Sequence, residues 1–402
     1  MNAELEAGGL DEGTIRTISD RLDEPVWLLD RRLAALEAVS DLELPPVIQT
    51  PGRRWTNLAE LPLDSLVDPL DASEEKERAH SDDVEIYSLE AAIAERPDLL
   101  RDHLGEVVDP TENALTALGT AALSTGTVIY VPEGVTGAEV TVRTTMGARS
   151  LSNHTLIITE PSSEVTILER QASSPAGDDR YYGGTVEIVA GENSAVQYGS
   201  LQELDRSTTT YTLKRGLATR DARVTWIEAN LGAKLTKSSV ETRLVGEGSE
   251  TKIVGAFFGH DRQHIDVASR VWHEAERTTA DLVTRGVLDD AARSVYEGVQ
   301  HVGKEAWHTN SYQRENTLML SDESEADASP KLIINNHETE ASHSATVGQI
   351  DREDLFYMTS RGLSPRIATH LLVEGFFVPV MEEIGVEEFR EDLEARITGR
   401  LA

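Results

Sequence analysis

The chain has no cysteine in its 402 residues. That excludes a disulfide framework, a zinc ribbon, a cysteine nucleophile and any metal cluster held by the chain's own thiolates. Lysine is also scarce: 7 of the 37 basic residues are Lys and 30 are Arg. Against them stand 71 acidic side chains, for a formal charge of −34. Such a surface repels phosphate backbones and anionic membranes, so no nucleic-acid or membrane partner is expected. Aromatic residues make up only 5%. No stretch reaches the ~18 apolar residues of a membrane helix, and the opening MNAELEAGGLDEG lacks a basic segment followed by an apolar run. A cytoplasmic chain is therefore expected. Neither a GxxxxGK[ST] loop nor a GxSxG elbow occurs, which argues against P-loop nucleotide hydrolysis and serine-hydrolase chemistry. With so many carboxylates, a chance acid pair says nothing about glycoside cleavage.

What is present is enough for a real core, with 39% apolar and 27% charged residues. Carboxylate excess with little Lys suits a high-salt cytosol, where ions screen the self-repulsion, and we read the composition as halophilic.

Three regions differ in texture. Residues 1–110 read as helix and loop. Glu24-Pro25 opens VWLLDRRLAALEAV, apolar at helical spacing; ELPPVIQTPGRRWTNL is too proline-rich to continue a helix; DASEEKERAHSDDVE reads as a loop or short exposed helix. A further helical pattern, SLEAAIAERPDLLRDHLGEVV, is interrupted at Pro97. Residues 111–345 switch to short, β-branched, alternating segments from TVIYV to KLIINN, separated by Gly, Asn, Asp or Ser. Their spacing is irregular, so periodicity alone leaves a solenoid and a sandwich equally open. Residues 346–402 are helical again. Asp351 caps REDLFYMTSR, Gly362 follows as a C′ glycine, and Ser364-Pro365 starts the next helix. Pro379 is expected to kink or end that helix, whose apolar face from Ile367 to Phe377 is too large for it to hide alone.

Without thiols, the histidines draw most scrutiny as metal ligands. His260 and His264 stand four apart, but their flanks read as strand, which would separate them by ~13 Å, too far for one ion. His301 and His308 read as surface residues, and His273-Glu274 has no HExxH context. His337 and His343 are better placed, at the end of the strand array with Glu338 and Glu340 close by, a donor set suited to iron or zinc. Spacing alone favours the plainer reading, a strand-end histidine hydrogen-bonded to a neighbour.

The run ASHSATVGQIDREDLFYMTSRGLSPRIATHLLVEGFF strongly resembles the end of the SufB/SufD family of iron–sulfur cluster assembly proteins. The matching elements are Ser342 to Gly348, Leu355-Phe356-Tyr357 and Ser360-Arg361-Gly362-Leu363. Similar likenesses occur at HIDVASRVWHEAERTTADLVTRGVLDDAARSVYEG, GTVIYVPEGV, EPVWLLDRRLAALE and RRWTNL. The SufD-like branch fits better: the stretch that carries a cysteine in SufB reads Arg314-Glu315-Asn316 here, and Ser344 follows the motif histidine, His343. The chain departs from many SufD members in having Ala341 where they have cysteine.

The resemblance implies a mainly β protein, a right-handed β-helix flanked by N-terminal and C-terminal α-helical regions. It implies a scaffold subunit, not an enzyme, with two partners: a SufB-like paralogue at the β-helix ends and a SufC-like ABC ATPase on the terminal helices. ATP hydrolysis by the ATPase would rearrange the paralogue interface and open the site of the nascent cluster. His343 would sit there as an iron ligand or proton acceptor, and Phe356, Arg361, Ile367, Leu371 and Phe376 are the candidate ATPase-docking residues. No cofactor is expected to stay on this chain alone; a transient iron–sulfur cluster would form at the interface. Self-pairing as a homodimer in the absence of the paralogue stays open. The alternative reading is a β-solenoid carbohydrate-active enzyme using surface carboxylates, which scarce aromatics and the missing leader disfavour.

Overall fold

The computed structural model describes residues 10–50, 53–59, 61, 67–68, 70, 74–174 and 178–401. Helices α1 (Glu12–Leu22) and α2 (Val26–Ala38) open the chain, followed by a small hairpin, β1 (Gln49–Thr50) and β2 (Arg53–Arg54). The segment read as a loop or helix instead contains β3 (Glu74–His80), with β4 (Glu85–Ser88) behind it; residues 71–73 of that reading lie outside the described residues. Its alternation of half-buried and exposed residues is that of an edge strand, hidden in the sequence because both faces are charged. Pro97 separates α3 (Leu89–Glu95) from α4 (Pro97–His103), and α5 (Ala114–Ala121), capped by Asn113, precedes the strands.

Sixteen strands then run β5 (Thr125–Val131), β6 (Ala138–Met146), β7 (Ser150–Thr159), β8 (Glu164–Ser173), β9 (Arg180–Ala190) and β10 (Ala195–Glu203). They continue with β11 (Thr208–Ala218), β12 (Arg223–Asn230), β13 (Leu235–Leu244), β14 (Glu250–Gly259) and β15 (His264–His273). The last five are β16 (Thr279–Leu288), β17 (Arg293–Val302), β18 (Thr309–Met319), β19 (Glu325–Ile334) and β20 (Thr339–Gln349). From β5 to β20 each strand pairs in parallel with the strand two places on, so odd and even strands build two separate sheets. This is a β-solenoid of about eight coils, and it decides between the two architectures that periodicity left open. The coil length wanders, from 26 residues (Thr209 to its partner Leu235) to 32 (Arg293 to Glu325), which is why no period was visible.

One corner of each coil repeats a left-handed residue: Ser162 (φ 60°), Asn193 (57°), Asp221 (54°), Gly248 (74°) and Arg277 (58°). The amide of each donates to a carbonyl of the next coil, as from Asn193 N to Arg220 O at 2.8 Å. Short polar side chains and glycine tolerate this conformation, which accounts for the punctuation seen between strands.

The lumen is packed with inward residues stacked rung on rung. One column reads Val140, Ile167, Tyr198, Trp226, Ile253 and Leu282, all 1% exposed or less. The N-terminal helices cover the outer face of the odd sheet, where Leu28, Ile93 and Leu123 pack on Leu156 and Ile158. Two C-terminal helices, α7 (Pro365–Met381) and α8 (Glu387–Leu401), cover the even sheet, burying Val373, Phe377, Phe389 and Leu393 against Ile227, Val254 and Val283. Between β20 and α7 lies α6 (Arg352–Ser360). Pro379 does not end α7: the helix runs on to Met381, the proline forgoing the amide bond to the carbonyl four residues back.

Candidate functional site

The two ends of the solenoid are built differently. At the N-terminal end β3 pairs antiparallel with β6 and β4 with β5, closing both sheets. Val84 joins the lumenal core there. Lys76 reaches in as well, donating from Nζ to Asn153 Oδ1 (2.7 Å) and Thr125 Oγ1 (3.0 Å) beside Glu74. At the C-terminal end β19 and β20 are the sheet edges, and no strand among the described residues covers them.

His343 lies on that last rung. Its partner across the ladder is Gln313, so it continues the inward column of Ile167 and Trp226. The neighbours on its face of β20 are Ala341 and Ala345, and the ring is exposed where its counterparts in the column are sealed. The opposite wall, from β19, presents Ala328 and Pro330, the ladder partners of inward Tyr296 and Gly298. Imidazole at the mouth of a lumen lined by small side chains is open to a ligand or partner.

The carboxylates that the sequence puts near His343 do not gather around it. Glu338 Oε2 sits 3.1 Å from His308 Nδ1, and Glu340 faces away from the lumen, receiving the Tyr312 hydroxyl at 3.4 Å. His337 is exposed in the turn before β20. The carboxyl on the inward face is Glu315 of β18, whose ladder partner is Ala345. It is 1% exposed; Oε1 accepts from the Thr317 hydroxyl at 2.5 Å, and Oε2 has no hydrogen-bond partner. Burial without a cation pushes its pKa up to about 7. Gln313 is likewise 1% exposed with Oε1 unpartnered, its side chain seated in space left by Gly298, where a Cβ would stand 1.7 Å from the amide nitrogen. Nothing in the mostly polar β18, TNSYQRENTLM, marks Glu315 as a site residue, and only the register puts it on the face of His343.

Elsewhere the histidines are engaged. His264 Nε2 lies 2.8 Å from Thr56 Oγ1, anchoring the RRWTNL segment, and His260 is separate from it in a corner. His260, Asp261 and Asp290 do converge within 4.8 Å, but Arg206 already fills the cluster, donating to Asp261 Oδ2 at 2.5 Å and contacting the His260 ring. A guanidinium there takes the place of a metal cation.

On the C-terminal helices, α6 buries no residue. Phe356 (73% exposed), Tyr357, Ile367, Leu371 and Val378 are exposed apolar side chains of α6 and α7, which lie against each other, with the Arg361 guanidinium 5.1 Å from the Tyr357 ring centre. Phe376 is set apart from it: half-buried, with Arg285 stacked 4.7 Å over its ring, it leans on the solenoid.

Fold and site together define a two-sheet β-solenoid, capped by helices and strands at one end and presenting a histidine at an open coil at the other. Residues 142–376 match the model of the SUF system FeS cluster assembly SufBD core domain, and residues 65–142 that of the SufBD protein N-terminal region. The chain belongs to the SufBD family of iron–sulfur cluster assembly proteins. It is similar to the iron–sulfur cluster assembly protein SufD of Bacillus subtilis, 28% identical over 420 residues covering 96% of each chain. It is also similar to a SufBD family protein of Staphylococcus saprophyticus, 26% identical over 428 residues, covering 94% of this chain and 90% of the relative. Among the described residues no helix is long and apolar enough to cross a membrane.

Proposed function

We propose that this chain is a non-enzymatic, cytoplasmic scaffold subunit of a SUF-type complex, supporting nascent cluster formation where its open coil meets a SufB-like paralogue. The observation that carries this reading is His343: an exposed imidazole on the inward column of a rung whose edge amides and carbonyls have no strand beside them among the described residues. Unpaired edges of a parallel sheet are a template for strand addition, and the exposed Ile333, Ile334 and Val347 supply apolar contact for a partner. The partner would bring the thiolates that this chain lacks, and neutral imidazole can complete iron coordination beside them. The cluster is cargo, held transiently by the complex and not kept by this chain. The patch of Phe356, Ile367 and Leu371 with Arg361 is the proposed seat of a SufC-like ABC ATPase. The carbohydrate-active alternative is not favoured by the family to which the chain belongs.

Co-expression with a cysteine-bearing paralogue and an ABC-type ATPase, followed by native mass measurement in high salt, tests the reading. A stoichiometric assembly of all three is expected. A chain that purifies alone or only as a homodimer in their presence would contradict it.

A further inference from the structure

We infer that Glu315 is a second protein ligand, beside His343, of the iron handled at the open coil; this rests on the function proposed above. Both residues point into the lumen: His343 stands on Gln313, and Glu315 lies two residues beyond Gln313 on the same face of β18. Strands lie about 4.8 Å apart and alternate residues about 6.6 Å along, so the two Cα atoms are separated by about 8 Å, a span that an imidazole and a glutamate carboxyl can close on one ion. The rung above Glu315 is Ala345, so on that column only a methyl group stands between the buried carboxyl and the mouth.

The other lumenal acids are already claimed. Glu169 accepts from the Tyr198 hydroxyl at 2.6 Å and Thr155 at 3.2 Å, and Glu228 is ion-paired to Lys214 at 2.5 Å. Among the described residues Glu315 has neither a cation nor a second donor, and its Oε2 is buried without a partner. The basic residues nearby face outward: Arg314 pairs with Asp281 at 3.0 Å, and Lys331 with Glu297 at 2.7 Å. A buried carboxyl oxygen left unmatched is costly unless something fills the position. Together with imidazole it makes an N,O donor pair suited to a divalent first-row ion such as ferrous iron. Gln313, buried between them with its amide oxygen also unclaimed, offers a third neutral donor.

The test is Co2+ titration of the purified full chain in high salt, following the visible d–d bands, with Glu315→Gln, His343→Ala and, as a control, Asp290→Asn in the Arg206-filled cluster. Loss of even an outer-shell partner of a metal ligand costs about 10–100-fold in affinity, so Glu315→Gln and His343→Ala are each expected to weaken binding by about tenfold or more, with Asp290→Asn unchanged. Wild-type affinity in Glu315→Gln, loss of binding in Asp290→Asn, or no Co2+ binding by the wild type would each overturn the assignment. Should Glu315→Gln fold poorly by circular dichroism, Glu315→Asp, one methylene shorter, is read in the same way. Co-purification of the Glu315→Gln chain with paralogue and ATPase separates the outcomes. If the complex forms while Co2+ binding is unaltered, only this inference falls; if no complex forms even with the wild type, the proposed function falls.

Discussion

The first and last coils of the solenoid share one architecture and opposite fates. At the first, antiparallel strands close both sheets, helices bury the outer face, and buried charges are paired: Lys76 with Glu74 and Asn153, Arg32 with Glu24 in a pair whose side chains are fully buried. At the last, both sheets end on uncovered edges and the polar groups inside, Gln313 and Glu315, keep unmatched oxygens. A solenoid coil is stable only when its neighbours bury its inward face. A terminal coil left uncovered with a histidine in its core column is therefore the coil least supported by its own chain, as the proposed docking of a paralogue there requires.

The comparison is sharpest along the shared column. Ile167→Ala near the capped end should destabilise the chain by about 2–5 kcal/mol, as expected for a buried aliphatic truncation. A denaturant midpoint unchanged from wild type would break the picture of a tightly packed lumen there.

Acid–base behaviour should also distinguish the ends. Glu315 retains its proton up to about pH 7 in the folded chain, against about 4.3 when unfolded, so the native state binds more protons between those values. Stability must then fall as pH rises from about 4 to about 7, by a contribution on the order of 3 kcal/mol that Glu315→Gln removes. Glu187, beneath the N-terminal layer, behaves oppositely. Burial alone would raise it, but the hydrogen bond and charge of His154 and the amides of Val108 and Gly105 outweigh that and hold its pKa below the usual range. Its stabilisation is present above about pH 4.3 and is lost as pH falls through the lower, folded value. Melts of wild type, Glu315→Gln and Glu187→Gln between pH 3 and pH 8 measure both signs.

Much of this was legible in the residues, and the losses have physical causes. The helix starts at Ser364-Pro365 and Asp351, the break at Pro97 and the strand character of the middle were all visible, because caps, prolines and β-branched alternation are local signals. The choice of solenoid over sandwich came only from the family resemblance, since coils of 26 to 32 residues blur the period. Strands β3, β18 and β20 were missed as strands: EEKERAH, TNSYQRENTLM and TEASHSATVGQ have no large apolar alternation, and backbone pairing to β6, β16 and β18 holds them. His343 came from the resemblance, whereas Glu315 needed the register, which no single strand encodes.

Ionic strength probes both ends at once. With a formal charge of −34, lowering salt from about 1 M to 0.01 M extends the screening length from about 3 Å to about 30 Å, so the assembly should loosen in dilute buffer. Sedimentation of the complex across that range would show dissociation, and equal stability throughout would tell against surface adaptation to salt.

The smallest stability effect belongs to the open end. Val347→Asp, on an exposed edge residue, should shift the isolated chain by no more than about 0.5 kcal/mol yet abolish pairing with the paralogue.

The most direct measurement is cluster yield on the co-expressed complex with His343→Ala. The variant is expected to melt like wild type within about 0.5 kcal/mol, to co-purify with both partners, and to carry markedly less iron and sulfide. Full cluster content on that complex would contradict the claim that the open coil is where this chain does its work.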